Sequence, residues 1–172
     1  MKPRTTLLAV AAIATIPALL FLARHGIILP EVGECINLIA RPADFYRPVA
    51  SGNVVRNERR YEFAAVHQYP GTYEVRLLIP LRWQAERFRG SKIGLQITAK
   101  DVVVVKQTFE VMSWWRQADS QVVLCATYEV PREVPPRRSV RIRIDFDNTI
   151  DSKLPRFDEG QVILEVVEAA VG

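Results

Sequence analysis

The chain has 172 residues, with 23 basic and 19 acidic side chains, a formal charge of +4, two histidines and two cysteines. Setting Lys2 and Arg4 aside leaves 21 basic against 19 acidic groups, so the body of the protein lacks the one-sided basic field of a nucleic-acid binder. His25 and His67, with Cys35 and Cys125, match no recognised zinc-ligand spacing, and no metal or other cofactor is implied.

Lys2 and Arg4 precede an uncharged stretch from Thr5 to Ala23. At the helical rise it reaches roughly 28 Å, close to the thickness of a bilayer's hydrocarbon core. It is apolar all round, without the polar stripe of a helix packed on one face. A cleavable signal would have a shorter apolar run ending in small residues, whereas here Phe21 stands two positions before Ala23, and Arg24 and His25 follow. The expectation is therefore a signal-anchor helix over residues 1–23, in the membrane through 5–23. Lys2 and Arg4 hold its start in the cytoplasm and the C-terminal domain is periplasmic or extracellular. The alternative is export after signal cleavage.

Residues 24–58 read as an irregular linker rich in proline and glycine, with Cys35–Ile39 as a candidate first strand. From 59 to 172 the dominant period is two. Tyr61, Phe63 and Ala65 share a face, and Pro70-Gly71 predicts a hairpin into Thr72–Ile79, where Tyr73, Val75, Leu77 and Ile79 alternate with Glu74 and Arg76. Leu81–Arg89 carries helical spacing and predicts one short helix or turn. Further strands are expected at Ile93–Ala99, Val102–Met112, Gln121–Val130, Ser139–Phe146 and Gln161–Ala169. Eight or so short alternating strands without intervening helices predict an all-β domain. An antiparallel β-sandwich, immunoglobulin-like or jelly-roll, is favoured over a closed barrel.

Cys35 and Cys125 either pair as a disulfide in the oxidising compartment that export implies, or remain thiols, with Cys125 a small core residue. Val140–Ile150 contains Asp145-Phe146-Asp147-Asn148-Thr149 at a strand end. It resembles the first motif of haloacid-dehalogenase-type phosphatases. That resemblance implies Asp145 as nucleophile, Asp147 as acid/base and a magnesium ion between them. Arg141 and Arg143, however, require one wet strand face, while such a motif sits on a parallel strand buried on both faces. Only twenty-two residues follow Ile150, too few for that family's later motifs, and a solvated acidic turn is the better reading. No nucleophile elbow or phosphate loop is present, and the expectation is a protein that is not an enzyme.

Trp114-Trp115-Arg116 is the unusual feature that remains. Adjacent strand residues point to opposite faces. Either one tryptophan fills the core while its neighbour stands in solvent, or both close the end of the core. Trp and Arg dominate protein hot spots, so Trp83, Trp114, Trp115 and Arg116, with the basic turn Arg137-Arg138, are the candidate partner contacts. An export segment followed by a compact, nearly neutral β domain resembles small membrane-anchored or exported bacterial envelope proteins, some of which are toxin-immunity partners. By that resemblance the chain is a tethered, non-catalytic protein-binding module. A structural subunit of an envelope assembly, its anchor packed against other membrane helices through Ala9, Ala11, Ala12 and Ala14, is the alternative.

Overall fold

A computed structural model describes residues 17–23, 47–69, 71–130, 134, 137–158 and 160–169. Nine strands follow one another among them: β1 Ala50–Asn53, β2 Arg60–Val66, β3 Thr72–Pro80, β4 Lys92–Ala99, β5 Val102–Glu110, β6 Ser113–Arg116, β7 Ser120–Glu129, β8 Ser139–Phe146 and β9 Ile163–Glu168. They form two separate sheets, ordered β1-β9-β3-β7-β6 and β2-β8-β4-β5, with every pairing antiparallel.

The period-two pattern explains the core. Tyr73, Val75, Leu77 and Ile79 of β3 are buried, as are Leu164 and Val166, the partners of Leu77 and Val75 on β9. In the other sheet Val140, Ile142, Ile144 and Phe146 of β8 are buried beside Ile93, Leu95 and Ile97 of β4. These residues belong to one hydrophobic cluster. Each fully buried aliphatic side chain contributes on the order of 1.5–3 kcal/mol, so the alternation is what fixes which face of each strand turns inward.

The expected hairpin between residues 61–68 and 72–79 does not form. β2 pairs with β8, whereas β3 lies in the other sheet between β7 and β9. The segment carrying Gly71 is a sheet-to-sheet crossing. Tyr73 explains it: its hydroxyl donates to the carbonyl of Tyr69 at 3.0 Å and accepts from the Tyr69 amide at 3.4 Å, fastening the start of β3 to the backbone four residues upstream. Gly71 has φ +133°, a region that L side chains rarely adopt. Hairpins across short turns do join β6 to β7 and β4 to β5. Lys100 and Asp101 both have positive φ there, 47° and 64°, as a two-residue type I′ turn requires.

β1 falls inside the stretch read as linker, and Leu81–Arg89 holds a single 3₁₀ turn, Ala85–Phe88. A second 3₁₀ turn, Ile150–Ser152, precedes β9. Of the expected anchor, residues 17–23 are helical and 1–16 lie outside the described residues. No helix among the described residues is long and apolar enough to cross a membrane. Cys35–Ile39 also lies outside them.

Candidate functional site

β6 is the outermost strand of its sheet, and among the described residues it pairs with β7 alone. Trp114 lies opposite Val123 and Trp115 opposite Val122. Val123 faces the core, opposite Leu77, so Trp114 stands on the core side and Trp115 on the outer side. Neither fills the core: Trp114 is 46% and Trp115 37% exposed, and neighbouring Met112 is 76% exposed. Both sequence-based alternatives placed at least one tryptophan inside, and the edge position of the four-residue β6 is what leaves them out. The Arg76 guanidinium lies 5.4 Å from the Trp115 ring centroid and is held by Glu74, with Nη2 to Oε2 at 2.5 Å. Arg116 completes the strand and is exposed.

Trp83 belongs to the core instead. It is buried, with its ring 5.9 Å from that of Phe157, and its exposed margin is covered by Arg82 at 5.5 Å. Its segment is held by Gln121, a buried side chain that the sequence reading missed. The Gln121 amide donates to the carbonyls of Leu81 at 2.9 Å, Pro80 at 3.4 Å and Trp83, while its oxygen accepts from the Ala85 amide at 3.4 Å. The signal was a glutamine at a core-facing position opposite Ile79.

Arg137 and Arg138 sit at the other end of β7. The Arg137 amide donates to the His67 carbonyl at 2.9 Å, and His67 touches Tyr128, whereas Arg116 lies opposite Gln121. Seven residues of strand separate Gln121 from Tyr128, roughly 23 Å, so the basic turn and the tryptophan strand are two surfaces. The Arg137 guanidinium lies 5.8 Å from the ring centroid of Phe21 in the helical 17–23 stretch.

Asp145 accepts from Arg60 Nε and Arg143 Nε, each at 2.8 Å. Burial alone would raise its pKa, but these two guanidiniums hold the carboxyl below its usual value. Asp147 accepts from the Asn148 amide at 2.8 Å, and Asp151 from the Asn57 amide at 3.2 Å. β8 is an interior antiparallel strand with one charged face, between β2 and β4, not the buried parallel strand that the phosphatase motif needs.

Cys125 occupies a bulge in β7, where the register with β3 shifts between Val75 and Arg76. It is a free, buried thiol, the second of the two sequence readings, and Cys35 lies outside the described residues. Burial pushes its pKa far up, which suppresses the thiolate. His67 is sealed in an aromatic cluster, 4.6 Å from the Tyr73 ring and 5.8 Å from the Tyr128 ring. Its Nε2 bonds the Tyr128 hydroxyl at 2.8 Å, its Nδ1 has no hydrogen-bond partner among the described residues, and burial lowers its pKa to about 4.

Comparison with family models, curated proteins and solved structures finds no match to this chain.

Proposed function

We propose that the protein is a non-catalytic binding module that holds a protein partner through β6 and is displayed outside the cytoplasm on an N-terminal membrane anchor. The observation that carries this reading is the joint exposure of Met112, Trp114 and Trp115 beside Arg116 on an outermost strand. Natural edge strands are usually guarded by charge or brevity, and β6 is brief and ends in Arg116. Even so, β6 and the residue before it show two tryptophans and a methionine, types enriched at interfaces, next to backbone groups open to strand addition. The non-catalytic part of the reading is supported by Asp145 locked between two arginines, by the sealed Cys125 thiol and by His67 tied to Tyr128.

The uncharged run 5–23, helical over 17–23, supports the anchor. The contact of Arg137 with Phe21 supports an arrangement in which the basic turn lies on the anchor side, Arg137-Arg138 face lipid headgroups and β6 is turned away from the membrane. For the sheets we favour an immunoglobulin-like sandwich. Tyr73, bonded to the backbone of Tyr69 at a crossing between sheets, has the geometry of the tyrosine corner that marks Greek-key sandwiches. A secreted toxin blocked by this module is the specific form of the partner.

Capture of the partner by full-length protein from its native membranes tests the reading. Trp114→Ala and Trp115→Ala should each weaken capture by about tenfold or more, while Arg137→Ala leaves it unchanged. Undiminished capture by both tryptophan variants, or recovery of several membrane proteins regardless of them, would replace the module with an assembly subunit.

A further inference from the structure

His67 ties one end of the sandwich to the helical 17–23 stretch. It follows Val66, the last residue of β2, whose partner Ser139 opens β8, so residue 67 lies just beyond the sheet ladder. Its carbonyl accepts from the Arg137 amide at 2.9 Å, and the Arg137 guanidinium lies 5.8 Å from the Phe21 ring centroid. Its ring is buried against Tyr73 and Tyr128, with Nε2 on the Tyr128 hydroxyl. Nδ1 has no hydrogen-bond partner among the described residues. One residue thus carries both a titratable ring sealed at the end of the core and the backbone bond that holds the turn touching the helix.

We propose that this end of the sandwich is an acid-sensitive latch: when the His67 ring takes up a proton, residues 67–68 swing out of the core and the Arg137 turn releases the helical 17–23 stretch. A neutral ring with its proton on Nε2 donates to the Tyr128 hydroxyl and leaves Nδ1 a bare acceptor. The imidazolium is a donor at both nitrogens, and Nδ1 meets no acceptor beside the tyrosines. A buried charged donor without an acceptor is far costlier than a neutral one, and water reaches it only if the ring leaves its box. Residue 67 can move without breaking a rung between β2 and β8, because that ladder stops at Val66. Tyr69 stays behind, held by the Tyr73 hydroxyl. The moving residue takes its carbonyl with it, and the Arg137 amide loses its acceptor.

The groups around the ring are Tyr73 of β3, Tyr128 of β7, Glu168 of β9 and the turn before β8. Glu168 is buried and lies opposite Tyr73 in the register. Burial first, and then this carboxylate, push the Tyr73 pKa up. Arg137 and Arg138 are the cations of the turn. For His67 itself burial is the cause, and it moves the sealed ring to about 4, whereas a ring in water keeps its ordinary 6.5. Acid therefore favours the released form, and from pH 7 to pH 5 the ratio of released to latched molecules rises by about twentyfold.

The latch rests on the anchor reading for its place at a membrane, and not on partner binding through β6. Amide exchange of the full-length chain in mild detergent, corrected for the intrinsic effect of pH on exchange, tests it. The Arg137 amide should open at least about a hundredfold more often than that of Leu77 in mid-β3, which marks global unfolding, and its opening should rise by about twentyfold from pH 7 to pH 5. His67→Phe should abolish that rise. Fluorine saturation-transfer NMR of a fluorophenylalanine at position 21 should show a minor, displaced state that grows by the same factor. Arg137 opening only as often as Leu77, opening indifferent to pH, a rise that persists in His67→Phe, or a fluorine signal without a pH-dependent minor state would each overturn the latch. The intact mass of the protein from its native membranes checks the anchor separately, since a chain cleaved after Ala23 lacks Phe21.

Discussion

Gln121 and His67 show how differently two buried polar side chains serve the same core. Gln121 satisfies carbonyls at Pro80, Leu81 and Trp83 and the amide of Ala85. Its removal leaves several buried backbone groups without a partner, each costing about 1–3 kcal/mol when water cannot reach it. Gln121→Ala should therefore lower unfolding stability by roughly 2–4 kcal/mol in urea titration, and a loss below the error of the measurement would remove Gln121 as the anchor of that loop. His67 acts through pH. Its folded pKa of about 4 lies below the ordinary value of 6.5, with burial as the cause. Between those values the unfolded chain binds the proton and the folded chain does not, so stability rises with pH through this window and is lost as pH falls from 6.5 towards 4. The full effect approaches roughly 3 kcal/mol. His67→Phe should flatten the slope of stability against pH over that interval, and identical slopes in the two proteins would contradict the assignment.

At the scale of elements, periodicity located most strands and said little about their partners. β8 begins and ends where the alternation of Val140, Ile142 and Ile144 with Arg141 and Arg143 predicts, and β3 differs from expectation by one residue. The pairing of β2 with β3 failed because Pro70-Gly71 is the same signal for a hairpin and for a sheet crossing. Only the Tyr73 hydroxyl on Tyr69, a contact made in three dimensions, separates the two. β1 and β6 are four residues each, too short for alternation to rise above a loop. The β4–β5 turn carries Lys100-Asp101 where both φ values are positive, a geometry that Asn-Gly adopts with less strain. Replacing the pair by Asn-Gly should stabilise the protein by about 0.5–1 kcal/mol, read as a raised urea midpoint with unchanged slope. A lowered midpoint would mean that Lys100 or Asp101 makes a contact worth more than the turn strain.

For the whole molecule, two sheets bury one core, with β6 at one edge of the five-stranded sheet and β5 at one edge of the other. The sequence singled out Trp114, Trp115 and Arg116 by residue type, and the structure keeps them together on β6. It also separates them from Arg137-Arg138 and moves Trp83 into the core. That division was invisible in the sequence, because exposure at an edge depends on strand order, and strand order depends on long-range pairing. The most direct test of partner binding through β6 places a photo-crosslinking residue at Met112 in the full-length protein in its native cells, with the same residue at Glu62, on the charged face of the other sheet, as reference. One discrete adduct with a single protein from position 112, and none from 62, is the predicted result. No adduct at 112, or the same adducts from both positions, would contradict the account.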